Sequence, residues 1–573
     1  MTESTAPAIG STALSGPSSS VPGVGGTAIA AGTATAPPGD VAAVVPAATS
    51  PAPATSIPWL GLTAVLLGTF ISTLNTRLSS LGLADIRGAV HAGFDEGAWI
   101  PTAQTVAQML ITLVAIWLGA IYGTRKVLME AAAAFAVISL LEPFSPNLQT
   151  LLVFQVLGGL ASGFFIPLTL SFVLKNTPPR LWAYGIAIYA LNLEVSLNIS
   201  ASLEGWYTDH LSWDWIFWQN IPFAIGMVAC LYFGIRPEQP NPVRPRADLF
   251  GFIYGGCGFA LVYAALDQGN RLDWLNSPLV VGLLCAGFIL LIAFFIHEWR
   301  CPYPVIDLKV VLEPPLPRVL VLISFLRLTI LSTAFVIPQF LQTVRGFRAL
   351  EVGQTLAWIA APQLLICFLA GFILRRADAR LVATFGFTCI CIACLTVAHG
   401  LTPLWGSDQF MPSGLLQAVG QSFALSGTIF FAVLHLRPQV ALSFGAAIQV
   451  ARLFGGELGQ AFISTFVRVR GQIASNHLGQ HIQIGDGQVI QRLQAYGAAT
   501  ARAGDPSSAL TRGAAVLNSV VHGTAITQGI IDAFVVIAAA TAVTVILIIT
   551  RRAAPAGPAS HVPVFAPRKA APR

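Results

Sequence analysis

From residue 58 onward the chain holds fourteen apolar runs of about twenty residues each. They lie near 59–83, 98–121, 127–142, 150–173, 181–203, 215–235, 249–266, 279–297, 318–341, 353–373, 380–399, 412–434, 441–466 and 526–550. A helix of that length crosses ~30 Å of hydrocarbon, and in lipid only helices and closed barrels satisfy their own backbone polar groups. The runs therefore predict an all-α polytopic membrane protein with 14 transmembrane helices. Composition points the same way. Hydrophobic residues make up 55% and charged residues 10%, at a mean hydropathy of +0.72, whereas a soluble domain carries about 25% charged residues.

The loops set the expected orientation. With the N-terminus inside, short cytoplasmic connections carry Arg125, Lys126, Lys175, Arg180, Arg236, Arg244, Arg246, Arg300, Lys309, Arg318, Arg375, Arg376, Arg380 and Arg437. Short outer loops hold only Arg87, Arg271, Arg345 and Arg348. This asymmetry obeys the positive-inside rule and places both termini in the cytoplasm. It also accounts for the net charge of +6 without a nucleic-acid partner. Residues 1–57, rich in Ala, Gly, Pro, Ser and Thr, read as a disordered cytoplasmic tail, and 553–573 as a second tail. One connection is long. Residues 467–524 form an outer loop with five arginines, in which 460–484 can extend the thirteenth helix. It reads as a solvated connector or as a docking surface for a periplasmic partner.

The most informative stretch is 151–222. Its first run holds Gly158, Gly159 and Gly163, small residues that let helices approach closely in lipid. Its second run carries Asn192, Glu194, Asn198 and Ser200 at hydrocarbon depth. Glu194, Asn198 and Ser202 are spaced by four and share one helix face, which is expected to turn toward the bundle interior. Other charges at membrane depth are Arg77, Arg327, Arg452, Glu204 and Glu457. Each costs at least ~2.5–3.5 kcal/mol to insert, so each calls for a partner or a function. Arg77 is the simplest ion-pair partner for Glu194. Glu194 and Glu457 are also the two candidates to carry a proton. The eight cysteines sit in or beside apolar runs and read as packing residues. No nucleophile triad, phosphate loop or metal-ligand spacing stands out, so neither an enzyme, a cofactor site nor a metal site is expected.

Several stretches resemble the fourteen-span drug:proton antiporters of the major facilitator superfamily, the EmrB/QacA-type exporters. Phe154 to Leu168 is similar to their fourth-helix motif, and Trp213 to Pro222 to their sixth-helix entry. Leu266-Asp267-Gln268-Gly269 with Leu272-Asp273-Trp274, and Pro304 to Leu308, resemble the connectors around the two extra helices. Pro338 to Gly346 and Gly371 to Arg380 match second-half motifs. The resemblance implies a 6+2+6 layout: a six-helix bundle over 58–236, a two-helix insert over 237–300 and a second bundle over 301–552. It implies export of small amphipathic or toxic compounds across the inner membrane by alternating access, with a periplasmic adaptor and an outer-membrane channel as candidate partners. It also implies a substrate and ion pathway through Asn75, Arg77, Gln155, Asn192, Glu194, Asn198, Arg327, Arg452 and Glu457, and a cytoplasmic gate of Arg125, Lys126, Asp378 and Arg380. The departures fall on the proton-coupling positions. The usual first-helix acid is Asn75, the fourth-helix arginine is Gln155, and the acid after the second helix falls near Ala120. A proton-independent exchanger, or a transporter-like receptor subunit that moves no solute, therefore remains a rival reading.

Overall fold

The computed structural model describes residues 58–176, 181–235, 247–306, 308–312, 316–434, 441–483, 485–499 and 509–550. Both expected tails lie outside these, as do Arg180, Arg236, Arg244, Arg246 and Arg437. Among the described residues the regular structure is entirely helical. The helices used below are α1 (Pro58–Leu81), α2 (Trp99–Tyr122), α3 (Thr124–Leu141), α4 (Leu148–Ser162), α5 (Phe165–Asn176), α6 (Trp182–His210), α7 (Asn220–Gly234), α8 (Leu249–Gly269) and α9 (Pro278–Arg300). They continue with α10 (Leu316–Leu331), α11 (Ile337–Thr343), α12 (Ala349–Leu374), α13 (Ala379–Gly400), α14 (Met411–Leu434), α15 (Ala441–Gln480), α16 (Gly487–Ala499) and α17 (Ala509–Ile549).

Thirteen helical segments among the described residues are long and apolar enough to cross a membrane. They correspond to every expected run but the thirteenth. That run lies in α15, a 40-residue helix containing Arg452 and Glu457 that is not among the thirteen.

The sixth run divides at Gln219, and the fourth and ninth are broken where proline explains the break. The fourth divides at Gly163-Phe164 into α4 and α5. Pro167 has no N–H to donate to the carbonyl four residues back, that of Gly163. The ninth runs from α10 into a π-helical turn, Ser332–Val336, and then α11. Here Pro338 withdraws the helical donor from the carbonyl of Ala334. Single π turns recur at functional sites.

The outer connection is not an open loop. α15 runs on to Gln480, as the sequence allowed, and α17 starts already at Ala509. At 40 and 41 residues, both helices are about twice the length a bilayer needs. Their extensions touch through the Arg470–Asp532 ion pair at 2.6 Å, with α16 packed against α17 where Gly513 meets the Leu493 carbonyl.

One buried apolar cluster joins α6 to α10–α15 and α17, from Ala183, Tyr189 and Leu197 to Phe387, Phe430 and Phe534. A second lies among α1, α3, α5 and α7, around Ile71, Phe135, Phe165 and Met227. The helix bearing Glu194 is thus embedded in the core formed by second-half helices. That placement positions the site.

Candidate functional site

The polar stripe of α6 does face inward. Glu194 and Asn198 are 1% and 2% exposed. Asn198 Nδ2 donates to Gln363 Oε1 (3.2 Å) on α12 and Gln421 Oε1 (3.3 Å) on α14. Gln363 in turn donates to Gln421 at 3.0 Å, and Gln421 to Thr333 Oγ1 at 2.8 Å. Gln417 donates to Ser332 Oγ at 3.0 Å. One amide chain therefore runs from the first-half helix α6 to the π turn. Thr333 and Ser332 are available to it because that turn is irregular. The glutamines Gln363, Gln417 and Gln421 escaped the sequence reading because an uncharged amide in an apolar run looks like helix-to-helix bonding.

Arg77 has a different partner from the one expected. Its Nη2 donates to the carbonyl of Ala334 at 2.6 Å, the very carbonyl that Pro338 leaves without a helical donor. The charges acting on Glu194 are instead Arg327 and then Arg452, with the Tyr189 hydroxyl close to both guanidiniums. Arg327 is also within electrostatic reach of Arg77 and Arg452. Arg452 Nε donates to Gln449 Oε1 at 3.2 Å. Among the described residues, neither carboxylate oxygen of Glu194 accepts a hydrogen bond. Two arginines, from α10 and α15, thus act on one carboxylate, and a third, from α1, lies within reach of Arg327. The ion-pair expectation is corrected on this point: the proline-freed carbonyl holds the Arg77 guanidinium, and Glu194 answers to Arg327 and Arg452.

Two of the positions where the sequence departs from the antiporter pattern lie in another polar pocket. Asn75 Oδ1 accepts from Asn220 Nδ2 at 2.7 Å, and that amide also reaches Ser139 Oγ at 3.4 Å. Gln155 is fully buried and its amide has no hydrogen-bond partner. One turn along from Gln155, a Cβ on Gly158 would lie 3.4 Å from Glu142 Oε1. Glu142 is also fully buried and has neither oxygen bonded. The sequence reading missed it because it falls at the very end of the third run. Gly159, on the adjacent face, has no room for a side chain against the Gln104 carbonyl of α2. Asn192 is structural glue: it donates to the Leu66 carbonyl (2.7 Å) and Thr69 Oγ1 (2.6 Å) of α1.

Glu457 lies at the edge of the arginine seam, with Arg327 beside the adjacent Gly456. It is 6% exposed and accepts a hydrogen bond from the Tyr263 hydroxyl of α8. Tyr263 also hydrogen-bonds Thr105 of α2. One turn further along α8, Asp267 accepts from Thr102 Oγ1 and from Gln268 Nε2 (3.0 Å). Asp267 read in the sequence as part of a connector. It is in the last turn of a helix and faces α2.

The expected gate residues divide between the two halves. Arg125 donates to the carbonyls of Leu231 (3.2 Å) and Tyr232 (3.1 Å), and Lys126 lies 3.8 Å from Glu130. Asp378 caps α13 by accepting from the Arg380 N–H at 2.9 Å, while Arg380 reaches the Ile549 carbonyl at 3.4 Å. A contact that does cross between halves here is Arg375 over the Tyr184 ring, 5.5 Å away. At the opposite end of the insert, Asp248, His297 and Cys301 have donor atoms within 4.8 Å of one another. His297 Nε2 lies 2.8 Å from Asp248 Oδ1, which also caps α8 through the Gly251 N–H. That cluster ties α8 to α9. The sequence placed His297 only at a membrane border.

The family model described as Major Facilitator Superfamily matches residues 65–460. Among curated relatives, the chain is 28% identical to the "Probable multidrug resistance protein EmrY" of Escherichia coli, over 64% of this chain and 70% of that one. It is 25% identical to the "Fatty acid resistance protein FarB" of Neisseria gonorrhoeae, over 73% and 82% of the two chains. It is 26% identical to the "Multidrug export protein EmrB" of Haemophilus influenzae, over 61% and 67%. The family match covers more than half of the chain. The chain therefore belongs to the Major Facilitator Superfamily.

Proposed function

We propose that this chain is a secondary transporter that exports small amphipathic compounds across the bacterial inner membrane by alternating access. The observation that carries the reading is the polar seam between α6 and the second-half helices, where Arg327 and Arg452 act on Glu194 and Arg77 lies within reach of Arg327. The bundles of 58–236 and 301–552 would rock about that seam, with 237–300 inserted between them. Asn75, Gln155, Asn192 and Asn198 would line or brace the first-half side of the pathway. Arg125, Lys126, Asp378 and Arg380 would brace the inner gate, each within its own half.

Two guanidiniums beside one carboxylate, with Arg77 within reach of Arg327, make the seam a better host for amphipathic anions than for lipophilic cations. A relative named for fatty acid resistance supports this choice. In proteoliposomes, a fluorescent long-chain carboxylate is expected to show saturable export, with ethidium a poor competitor. Strong ethidium flux that is insensitive to the carboxylate would overturn the anion preference. An absence of saturable flux for every amphipath would favour the receptor-like reading. Asn75 and Gln155 support a second reading, exchange without protons, since neither side chain can carry charge.

The paired extensions of α15 and α17 support docking of a periplasmic adaptor. Deleting 471–500 is expected to leave flux in everted vesicles intact and to abolish the resistance of whole cells. Loss of both would assign the extensions to folding instead.

A further inference from the structure

The two-helix insert is the one part of the chain that the alternating-access reading leaves without a task. It is fixed on two sides. On one, Trp274 Nε1 donates to Thr465 Oγ1 at 3.0 Å, and Arg468 lies 3.6 Å from Asp273, so the end of α8 is tied to α15. On the other, α8 meets α2 through Tyr263–Thr105 and Asp267–Thr102. These contacts bring polar groups into sequence. Glu457 is bonded to Tyr263, and Asp267 follows one turn along the same face. Gln268 Nε2 donates to Asp267 Oδ2 and to Thr102 Oγ1 (2.7 Å), while Gln268 Oε1 accepts from Arg271 Nε at 2.9 Å. Arg271 pairs with Asp95, whose side chain is 79% exposed. Asp95 and Arg271 line an open hollow of about 470 Å³ with Glu96, Trp99 and Ser277.

We propose that this series is the proton limb of the transporter: α8 of the insert conducts protons from the outer water at Asp95 and Arg271, by way of Asp267 and Tyr263, to Glu457. The proposal rests on the export reading and assigns a task to the insert within it. Asp267 stands behind the lining residue Arg271, through Gln268. A hydronium ion that enters from the hollow past this pair gives its proton to the Asp267 carboxylate and leaves water. The Tyr263 hydroxyl passes one proton to the Glu457 carboxylate and takes one from Asp267, which returns to its charged form. The net change is one proton moved from outer water onto Glu457. Rocking of α15 against α8 would part Glu457 from Tyr263 and release the proton inward.

The charged and titratable groups that face Glu457 fit this task. From α8 they are Tyr263 and Asp267. From α10, Arg327 lies beside Gly456, where a Cβ would stand 3.4 Å from its Nε. Arg452 is on Glu457's own helix, and α2 contributes only hydroxyls. Two carboxylates close together in low dielectric repel, and a single shared proton relieves that repulsion. Glu194, held in the field of two arginines, lacks this property. The insert thereby offers a coupling site that does not need an acid at position 75 or an arginine at 155.

The test compares wild type with Glu457→Gln, Asp267→Asn, Tyr263→Phe and Glu457→Asp in proteoliposomes. Substrate exchange at equal pH reports the export reading by itself. Export driven by a pH gradient, with an internal pH dye, reports coupling. Exchange is expected to survive in all four variants. Gradient-driven rates should fall about a hundredfold in Glu457→Gln and Asp267→Asn, the low end of what a positioned proton-transfer group contributes. Glu457→Asp should recover part of the loss with a displaced pH profile. Infrared spectra of the purified protein give a readout that needs no substrate: a carboxylic-acid carbonyl band should disappear in Glu457→Gln. Undiminished gradient-driven export in Glu457→Gln, or loss of exchange and coupling together in every variant, would overturn the proton limb. A band unchanged by Glu457→Gln would overturn it even if no exported compound had been found.

Discussion

Gly353→Val is expected to abolish export while leaving the protein folded and inserted. At this point α6 and α12, from opposite halves of the chain, touch backbone to backbone. A Cβ on Gly353 would lie 2.5 Å from both Cα and N of Ser202, and Gly205 is equally closed by the backbone of Leu350. Backbone cannot step aside as the end of a side chain can, so valine must push the helices apart. Overpacking of this kind costs about 1–3 kcal/mol. Helix α12 itself tolerates valine, since in lipid every backbone polar group must be bonded within the helix and the span stays helical whatever its propensity. The strain therefore falls on one arrangement of the two halves, the one in which these ends are closed. A population shift of that size moves the equilibrium roughly five- to 150-fold. Spin labels at Asp209 and Arg348, whose side chains lie 3.6 Å apart, should report a longer distance in the variant. Gly353→Ala should be intermediate in both flux and distance. Wild-type export by Gly353→Val would show that this contact never has to close during transport.

Much of the fold was legible because the membrane imposes a single length scale. Runs of about twenty apolar residues located the thirteen helical segments long and apolar enough to cross a membrane among the described residues. They located breaks less well, because a break depends on which carbonyl a proline abandons and what accepts that loss. Pro338 was visible in the sequence as part of a motif. Its consequence, a carbonyl offered to Arg77 from a helix far along the chain, needed the three-dimensional arrangement. The inward face of Glu194 and Asn198 could be read from spacing by four. Their partners could not, since periodicity names a face and not what lies opposite it. Asp267 and Glu142 show a second limit. Both stand at the ends of runs, where a sequence window assigns a carboxylate to the adjoining loop. Each is instead held by the helical core: Glu142 is fully buried, and Asp267 is bonded to Thr102 and Gln268. The insert was the hardest part to read: two hydrophobic helices carry little pattern, and Tyr263 in such a helix looks like any other aromatic.

The seam itself makes the last prediction, because its charges do not balance. Glu194→Gln removes the one carboxylate in the field of Arg327 and Arg452, with Arg77 close to Arg327. Leaving buried guanidiniums uncompensated is expected to destabilise the protein by about 3 kcal/mol, the lower range for breaking a buried charge interaction. Arg327→Gln alone should cost less. It deprives Glu194 of its first counter-charge but also removes the repulsion that Arg327 exerts on Arg77 and Arg452. The double variant should therefore be more stable than Glu194→Gln, which a double-mutant cycle on thermal unfolding in detergent would measure as a favourable coupling. Anion binding should move the opposite way. Glu194→Gln adds one net positive charge to the seam, so a long-chain carboxylate should bind more tightly to a less stable protein, and the double variant should return toward wild-type affinity. A purely structural glutamate would change stability without changing affinity. A glutamate that carries the transported proton would instead leave anion affinity dependent on pH in wild type and independent of it in Glu194→Gln. Additive destabilisation in the cycle, together with unchanged affinity, would dismiss the arginine seam as the place where substrate is held.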